Sequence, residues 1–365
     1  MTRINEVFDK FNTCDKLIRV EICDYGRIND TYIVYTDASK RYVLQRVNQR
    51  IFNRIDLLMS NVERVIEHVK GKVKRRHGED RECLNLIPTK DGNSFCWHCD
   101  DNSFWRLYDY IEDTVMLNKV ESSETLYEVG KAFGRFQKDL SDFNVTCLHD
   151  TLPDFHDTPK RLRAFNEACK VDKFGRLAEI KDEVEFVKKN KSIAGLIVGA
   201  MRRKQIPVRV THNDTKLNNI LMDSQTLKAV CVIDLDTIMR GAGIYDFGDC
   251  VRSCCNTLPK DYTDINKVGF NFESFEMLAR GFIGAIGKEY KKAERDLMVP
   301  SCFIMTYELA VRYLTDYLSG DVYFKTKYKE HNLDRARIQI KLFDEMNKAR
   351  SDMDNMIKNL FNKGV

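Results

Sequence analysis

A chain of 365 residues is too long for one small hydrophobic core and implies two lobes or domains. With 43% apolar and 31% charged residues it has the make-up of an ordinary soluble globular protein. A formal charge of only +4 gives no footing for a nucleic-acid or membrane partner, and the densest basic run, KGKVKRRHGEDR at 70–81, carries its own acids, as a solvated loop does.

The opening stretch MTRINEVFDKFNTCDK lacks the apolar segment of a signal peptide, and no window reaches the ~18 consecutive apolar residues of a membrane span. The cytoplasm is the expected compartment, and the twelve cysteines are expected as reduced thiols. The first ~110 residues read mainly as strands, at 17–23, 29–36, 41–47, 94–99 and 104–110, with a helix over 53–70 after the third. Cys96-Trp-His-Cys99 is a lone CxxC on the fourth of these strands, where positions i and i+3 face opposite sides, so packing is expected rather than zinc or redox chemistry.

From about residue 120 the period becomes helical. Leu126, Val129, Phe133, Phe136 and Leu140 share one stripe, with Ser122 or Ser123 as N-cap. Further helices are expected over 158–204, 246–256, 272–296, 300–319 and 333–361, around a β-rich island at 207–234. The fold class is therefore α+β in two lobes. An N-terminal five-stranded antiparallel sheet with one helix occupies 1–110, and a larger, mainly helical lobe occupies 111–365.

The island holds the chemistry. A strand runs into His212-Asn213-Asp214-Thr215-Lys216-Leu217-Asn218-Asn219, and a hairpin then returns to Asp234-Leu235-Asp236. His-x-Asp-x-x-x-x-Asn followed by a hairpin ending in Asp resembles the catalytic loop and metal aspartate of kinase-like phosphotransferases. The residue types fit that chemistry separately. A carboxylate at Asp214 can accept the attacking hydroxyl's proton, and Asn219 and Asp234 offer the hard oxygens magnesium prefers. Lys216 can neutralise phosphate charge, and His212 is expected to hold the loop. A plain surface turn remains the bland alternative.

Several protein-kinase features are absent. The loop reads His-Asn-Asp rather than His-Arg-Asp, and no G-x-G-x-x-G precedes it. Strand three presents Gln45 where a lysine would hold phosphates, which leaves Lys216, Arg46 or magnesium to carry that charge.

RVTHNDTKLNNILMD, VIDLDTIM, FHDTPKRL and RYLTDYLSGDVYFKTKYKEHNLDRARIQIKL together resemble the N-acetylhexosamine 1-kinases, over nearly the whole chain. That resemblance implies the aminoglycoside-phosphotransferase fold, which is protein-kinase-like, and ATP and Mg2+ as cofactors. It also implies transfer of phosphate to the C1 hydroxyl of an N-acetylhexosamine, with Asp214 as base. Arg312 and Tyr323 match sugar-holding positions, and Thr237 is a further candidate. On the residues alone, Arg312 could equally form an i,i+4 ion pair with Asp316. Gln45 matches the family's strand three. Gly26-Arg27-Ile28-Asn29 departs from the expected Gly-His-Ile-Asn, which makes Arg27 a candidate substrate contact that bears on the choice of hexosamine.

ATP is expected between the lobes, with adenine against Val43, Leu221 and Ile233 and hydrogen-bonded near Asp109, Tyr110 and Ile111. A monomer or homodimer acting on a small sugar is implied. The rival readings are another small-molecule kinase of this fold (aminoglycoside, choline or homoserine-type substrate), a nucleotide-binding module without turnover, and an RNA- or membrane-associated scaffold. One tripeptide calls for a separate account. Asp246-Phe247-Gly248 spells the kinase metal motif, yet Asp246 lies 27 residues after Asn219, whereas Asp234 lies 15 after it and closes a hairpin. Asp246 is expected to stand at a helix start and to brace the catalytic loop beneath His212.

Overall fold

The computed structural model describes residues 2–23, 28–120, 122–257 and 264–363. In chain order the first elements are α1 (Thr2–Phe8), β1 (Leu17–Cys23), β2 (Asp30–Thr36), β3 (Arg41–Arg46), α2 (Ile55–Arg75), β4 (Leu86–Ile87), β5 (Cys96–His98), β6 (Ser103–Asp109) and β7 (Thr114–Met116). Then come α3 (Ser123–Asp139), α4 (Thr158–Val171), α5 (Lys181–Asn190), α6 (Leu196–Arg202), β8 (Arg209–Thr211), β9 (Ile220–Asp223), β10 (Ala229–Val232) and β11 (Met239–Gly241). Six helices follow among the described residues: α7 (Ile244–Cys254), α8 (Phe272–Ile286), α9 (Lys292–Asp296), α10 (Met298–Leu318), α11 (His331–Lys348) and α12 (Arg350–Lys363).

The chain forms two compact units. One comprises Met1–Val115, Asp142–Leu152 and Leu221–Met239; the other comprises Met116–Ser141, Pro153–Ile220 and Arg240–Val365. In the first, an antiparallel sheet runs β1-β2-β3-β6-β4, with β5 also paired to β6. Alternation along the strands gives the sheet two faces. Val34, Tyr42, Leu44, Trp105 and Leu107 pack with Val7 and Phe8 of α1 on one of them. The intervening residues, Val43 and Gln45 on β3 and their register partners Tyr108 and Arg106 on β6, share the other. The sheet has six strands rather than the five expected, because β4 is two residues long and too short to carry a pattern. The short helix α1 was likewise hidden in the sequence.

The second unit is built around α10. Its buried residues, among them Met298, Ser301, Met305, Tyr307, Glu308, Val311, Leu314 and Tyr317, surround the whole helix, as expected of a helix enclosed by others. Pro300 sits in its first turn, where a missing N–H costs nothing. Helices α3 and α8 approach closely through Gly130, Gly134 and Gly281, where any Cβ would overlap the facing helix backbone. Ser122, one of the two candidate caps, accepts the Thr125 N–H with its hydroxyl at 3.3 Å.

Three expected helices are broken. The stretch 158–204 is α4, α5 and α6, because Asp172 ends α4 in the left-handed region and Gly175 (φ 66°) turns the chain. The stretch 272–296 divides at Gly287 (φ 60°), and 333–361 divides at Ala349. Periodicity detects the buried stripes but not the single residues that interrupt them.

Among the described residues, no helix is long and apolar enough to cross a membrane. The twelve cysteines are all thiols, and Cys96 is buried while Cys99 is exposed. Burial pushes the Cys96 thiol up to about 11, the behaviour of a packed rather than a reactive group.

Candidate active site

Strand β8 delivers the loop 212–219 in the second unit. Asn213 stands in the left-handed region (φ 66°), a conformation asparagine tolerates better than most residues. His212 is fully buried, its ring edge-on to Phe133 and Phe136 of α3. Its Nδ1 accepts the Asp214 N–H at 3.3 Å, so the histidine shapes the loop. The Asp214 carboxylate then meets two side chains of its own loop. Lys216 Nζ lies 2.6 Å from Oδ2, and Asn219 Nδ2 donates to Oδ2 at 3.1 Å and to the Asp214 carbonyl at 2.7 Å. Burial works to raise this carboxyl, but the Lys216 charge, with His212 and the Asn219 amide, outweighs it and holds Asp214 below the usual carboxylate range.

Because both Asn219 Nδ2 contacts go to Asp214, the amide is fixed with Oδ1 turned away. Among the described residues no protein group donates to that oxygen. A fixed amide oxygen is a hard donor of the kind magnesium prefers.

One face of α7 supports this loop. Asp246, Asp249 and Ser253 follow at i, i+3 and i+7. Asp246 accepts the N–H groups of His212 and Asn213, each at 2.9 Å, and also the Gln137 side-chain amide. Asp249 accepts the Thr215 N–H at 3.0 Å and holds Arg252 at 2.9 and 2.6 Å, while Ser253 donates to the Thr215 carbonyl at 3.1 Å. Burial raises the Asp246 carboxyl despite these donors. Asp246 is the third residue of α7 and fully buried, and its carboxylate turns toward the loop rather than capping its own helix. Phe247 packs on Phe275 and Phe282. Gly248 lets α7 touch α10, because a Cβ there would lie 2.6 Å from the Ser301 carbonyl oxygen.

Arg312, on α10, has a different environment from the ion pair that its spacing to Asp316 suggests. Asp316 is buried and accepts the N–H groups of Val322, Tyr323 and Phe324 at 3.0, 2.9 and 2.9 Å, together with Asn332 Nδ2 at 2.8 Å. It shapes the loop that carries Tyr323. Arg312 instead lies against the rings of Phe155, Tyr323 and Phe324, at 5.1, 5.7 and 5.6 Å, and donates to the Tyr323 hydroxyl at 3.4 Å. One helical turn earlier, buried Glu308 accepts from Thr158 Oγ1 at 2.6 Å and lies 2.8 Å from His156 Nδ1. Arg161 Nη2 donates to the Phe155 carbonyl at 3.1 Å, and its buried Nε has no partner among the described residues. Burial, and after it the neighbouring Arg312 charge, holds the Arg161 guanidinium below its usual range. This guanidinium and aromatic cluster lies in the same unit as Asp214. Phe324 packs on Tyr313 at 4.6 Å, and Arg252 feels the charges of both Tyr313 and Asp214.

In the first unit, Val43, Leu221 and Ile233 are half-buried apolar residues, as an adenine surface needs. The Asp109 N–H goes to the Asn85 carbonyl and the Tyr110 N–H to the Arg41 carbonyl. Of the three expected adenine-binding positions, the Ile111 N–H therefore remains as the donor without a partner among the described residues. Gln45 is not turned to solvent for phosphates. Its Oε1 accepts from Arg106 and its Nε2 donates to Thr31 Oγ1 at 3.1 Å. Arg46 lies 3.6 Å from Asp30 and 3.5 Å from Asp101. Asp234 stands in the left-handed region (φ 62°, ψ 58°) at the head of a short turn in which Asp236 and Thr237 are buried. Arg27 lies outside the described residues.

Residues 20–273, more than half of the chain, match the model of the phosphotransferase enzyme family, APH. The chain belongs to that family. Solved structures of the same fold include a microcompartment-associated aminopropanol kinase (14% identity, TM-score 0.60, 97% of this chain and 98% of that one). An amicoumacin kinase in complex with AMP-PNP and Ca2+ is similar at 10% identity and TM-score 0.55, over 88% of this chain and 87% of that one. An ethanolamine kinase of Plasmodium vivax is similar at 12% identity and TM-score 0.55, over 88% and 82%. The protein-kinase-like α+β fold expected from the sequence is thus the fold of this phosphotransferase.

Sequence reasoning missed several residues that the structure gathers in buried polar clusters. Phe155, His156, Arg161 and Glu308 come from two distant segments, and the FHDTPKRL motif was the one signal that pointed to the first of them. Arg106 gave no signal, since an arginine in a strand reads as surface charge.

Proposed function

We propose that this phosphotransferase is an ATP- and magnesium-dependent kinase that phosphorylates the C1 hydroxyl of an N-acetylhexosamine, giving the sugar 1-phosphate and ADP. The observation that carries the acceptor class is the environment of Arg312. A guanidinium on an aromatic shelf, with Arg161 beside it, supports a neutral acceptor rich in hydroxyl and carbonyl oxygens. A cationic amino alcohol or aminoglycoside would meet like charge there.

In this reading Asp214 orients the acceptor hydroxyl and accepts its proton as the new O–P bond forms. Lys216 keeps the carboxylate ionised until then. Asn219 and Asp234 would hold the magnesium, which when bound neutralises phosphate oxygens. The Ile111 N–H, with Val43, Leu221 and Ile233, would receive the adenine, and Tyr323 and Thr237 would complete the sugar contacts.

The test is a panel of sugars, amino alcohols and aminoglycosides incubated with magnesium and ATP, followed by ADP release and by loss of the reducing end. ADP release matched by loss of the reducing end with an N-acetylhexosamine is expected. Phosphorylation that leaves the reducing end intact would overturn the 1-kinase reading, and turnover with amino alcohols alone would replace the acceptor class.

A further inference from the structure

The first unit contains a fully buried cation at an unusual position. Arg106 is 1% exposed and sits on β6 directly opposite Gln45, its register partner on β3. All three of its guanidinium nitrogens are used. Nε and Nη2 donate to Gln45 Oε1 at 3.0 and 2.8 Å, and Nη1 donates to Asp236 Oδ1 at 2.5 Å. The second Asp236 oxygen accepts Asn29 Nδ2 at 2.6 Å, and Asn29 Oδ1 in turn accepts the Asn48 N–H at 3.0 Å. Asp236 itself is 2% exposed, so both its oxygens are committed to holding the turn rather than to a ligand.

That turn begins two residues earlier, at Asp234, whose left-handed backbone is disfavoured for residues with a Cβ, though less so for aspartate than for most, and is held by its surroundings. The Asp234 charge also acts on Arg106. We propose that Arg106 is a positioning residue for the metal site: through Asp236 it fixes the Asp234 turn. This inference rests on the proposed role of Asp234 as a metal ligand. An outer partner that orients a metal ligand governs affinity for the ion without touching it. Arginine suits the task because one planar fork reaches Gln45 and Asp236 together, whereas a lysine ammonium reaches as a single point.

The experiment measures Mn2+ binding in the presence of ADP by electron paramagnetic resonance, alongside a melting curve for each protein. Asp234→Asn serves as the ligand control and Asp236→Asn as the shape-preserving break in the clamp. Arg106→Lys keeps the charge and guards against a variant that fails to fold. Folded Asp236→Asn and Arg106→Lys are expected to lose about tenfold or more in Mn2+ affinity, with metal-free ADP binding retained. Wild-type Mn2+ affinity in both folded variants, with Asp234→Asn impaired, would reduce Arg106 to a structural core residue and sink the inference alone. Failure of the wild-type protein to bind Mn2+ with ADP would overturn the functional reading and the inference with it.

Discussion

Asp246 accepts the backbone N–H of Asn213 at 2.9 Å, and Asn213 is the residue whose left-handed backbone turns the chain toward Asp214. A buried carboxylate in one helix thus sets the direction of the proposed catalytic base. Asp246→Asn places an amide donor where the loop's N–H groups need an acceptor. A buried donor left unsatisfied costs about 1–3 kcal/mol, so a lower melting temperature is expected. Misplacement of Asp214 is expected to reduce kcat ~100-fold, with nucleotide binding unchanged. Calorimetry and a turnover assay measure the two effects.

Asp214→Asn removes the proton acceptor while leaving the fold intact. Turnover is expected to fall ~10²–10⁴-fold, with nucleotide affinity retained in a titration. Near-normal turnover would remove Asp214 from the base role.

The pH dependence follows from the ion pair with Lys216. A base works only when ionised, so activity falls as pH drops through the Asp214 pKa. Lys216 holds that pKa below the usual carboxylate range, which keeps the wild-type activity flat through mildly acidic conditions. Lys216→Met removes the opposing charge and leaves burial dominant. The acid limb of kcat is expected to move to higher pH, read from rate profiles of the two proteins.

Arg312→Lys keeps the charge and loses the planar contact with Phe155, Tyr323 and Phe324. The acceptor KM is expected to rise about 10-fold or more, with the ATP KM unchanged. Equal changes in both constants would argue for a general disturbance of the unit.

Gly248→Ala tests the packing of α7 on α10. The added Cβ meets the Ser301 carbonyl, a backbone atom that cannot swing aside, and overpacking of this kind costs about 1–3 kcal/mol. A lower melting temperature is the expected readout.

The loop and its hairpin were legible because a His-x-Asp-x-x-x-x-Asn run with a closing aspartate keeps its residues at short, fixed spacing, as at Asp214, Asn219 and Asp234. Five of the six strands of the first unit's sheet were legible from their sheet-favouring residues, β1 to the residue, while two-residue β4 was not. Features assembled from distant segments were not. Glu308, His156 and Thr158 meet across 150 residues and more, and nothing local marks them as partners. The tripeptide at 246–248 shows the same divide. Its letters suggested a metal site, whereas its three residues brace a loop, fill a core and, by lacking a Cβ, permit a helix crossing.

The Asp316 grip on residues 322–324 bears on how such a site could change over time. Three successive backbone groups are held by one carboxylate on α10, so the path of that loop does not depend on which side chains it displays. If this loop faces the proposed acceptor, new chemistry can be offered there by exchanging Tyr323 or its neighbours while the loop keeps its course. Loss of Asp316 would instead release the whole display at once. Innovation at this end of the molecule is therefore open along the loop and closed at the residue beneath it.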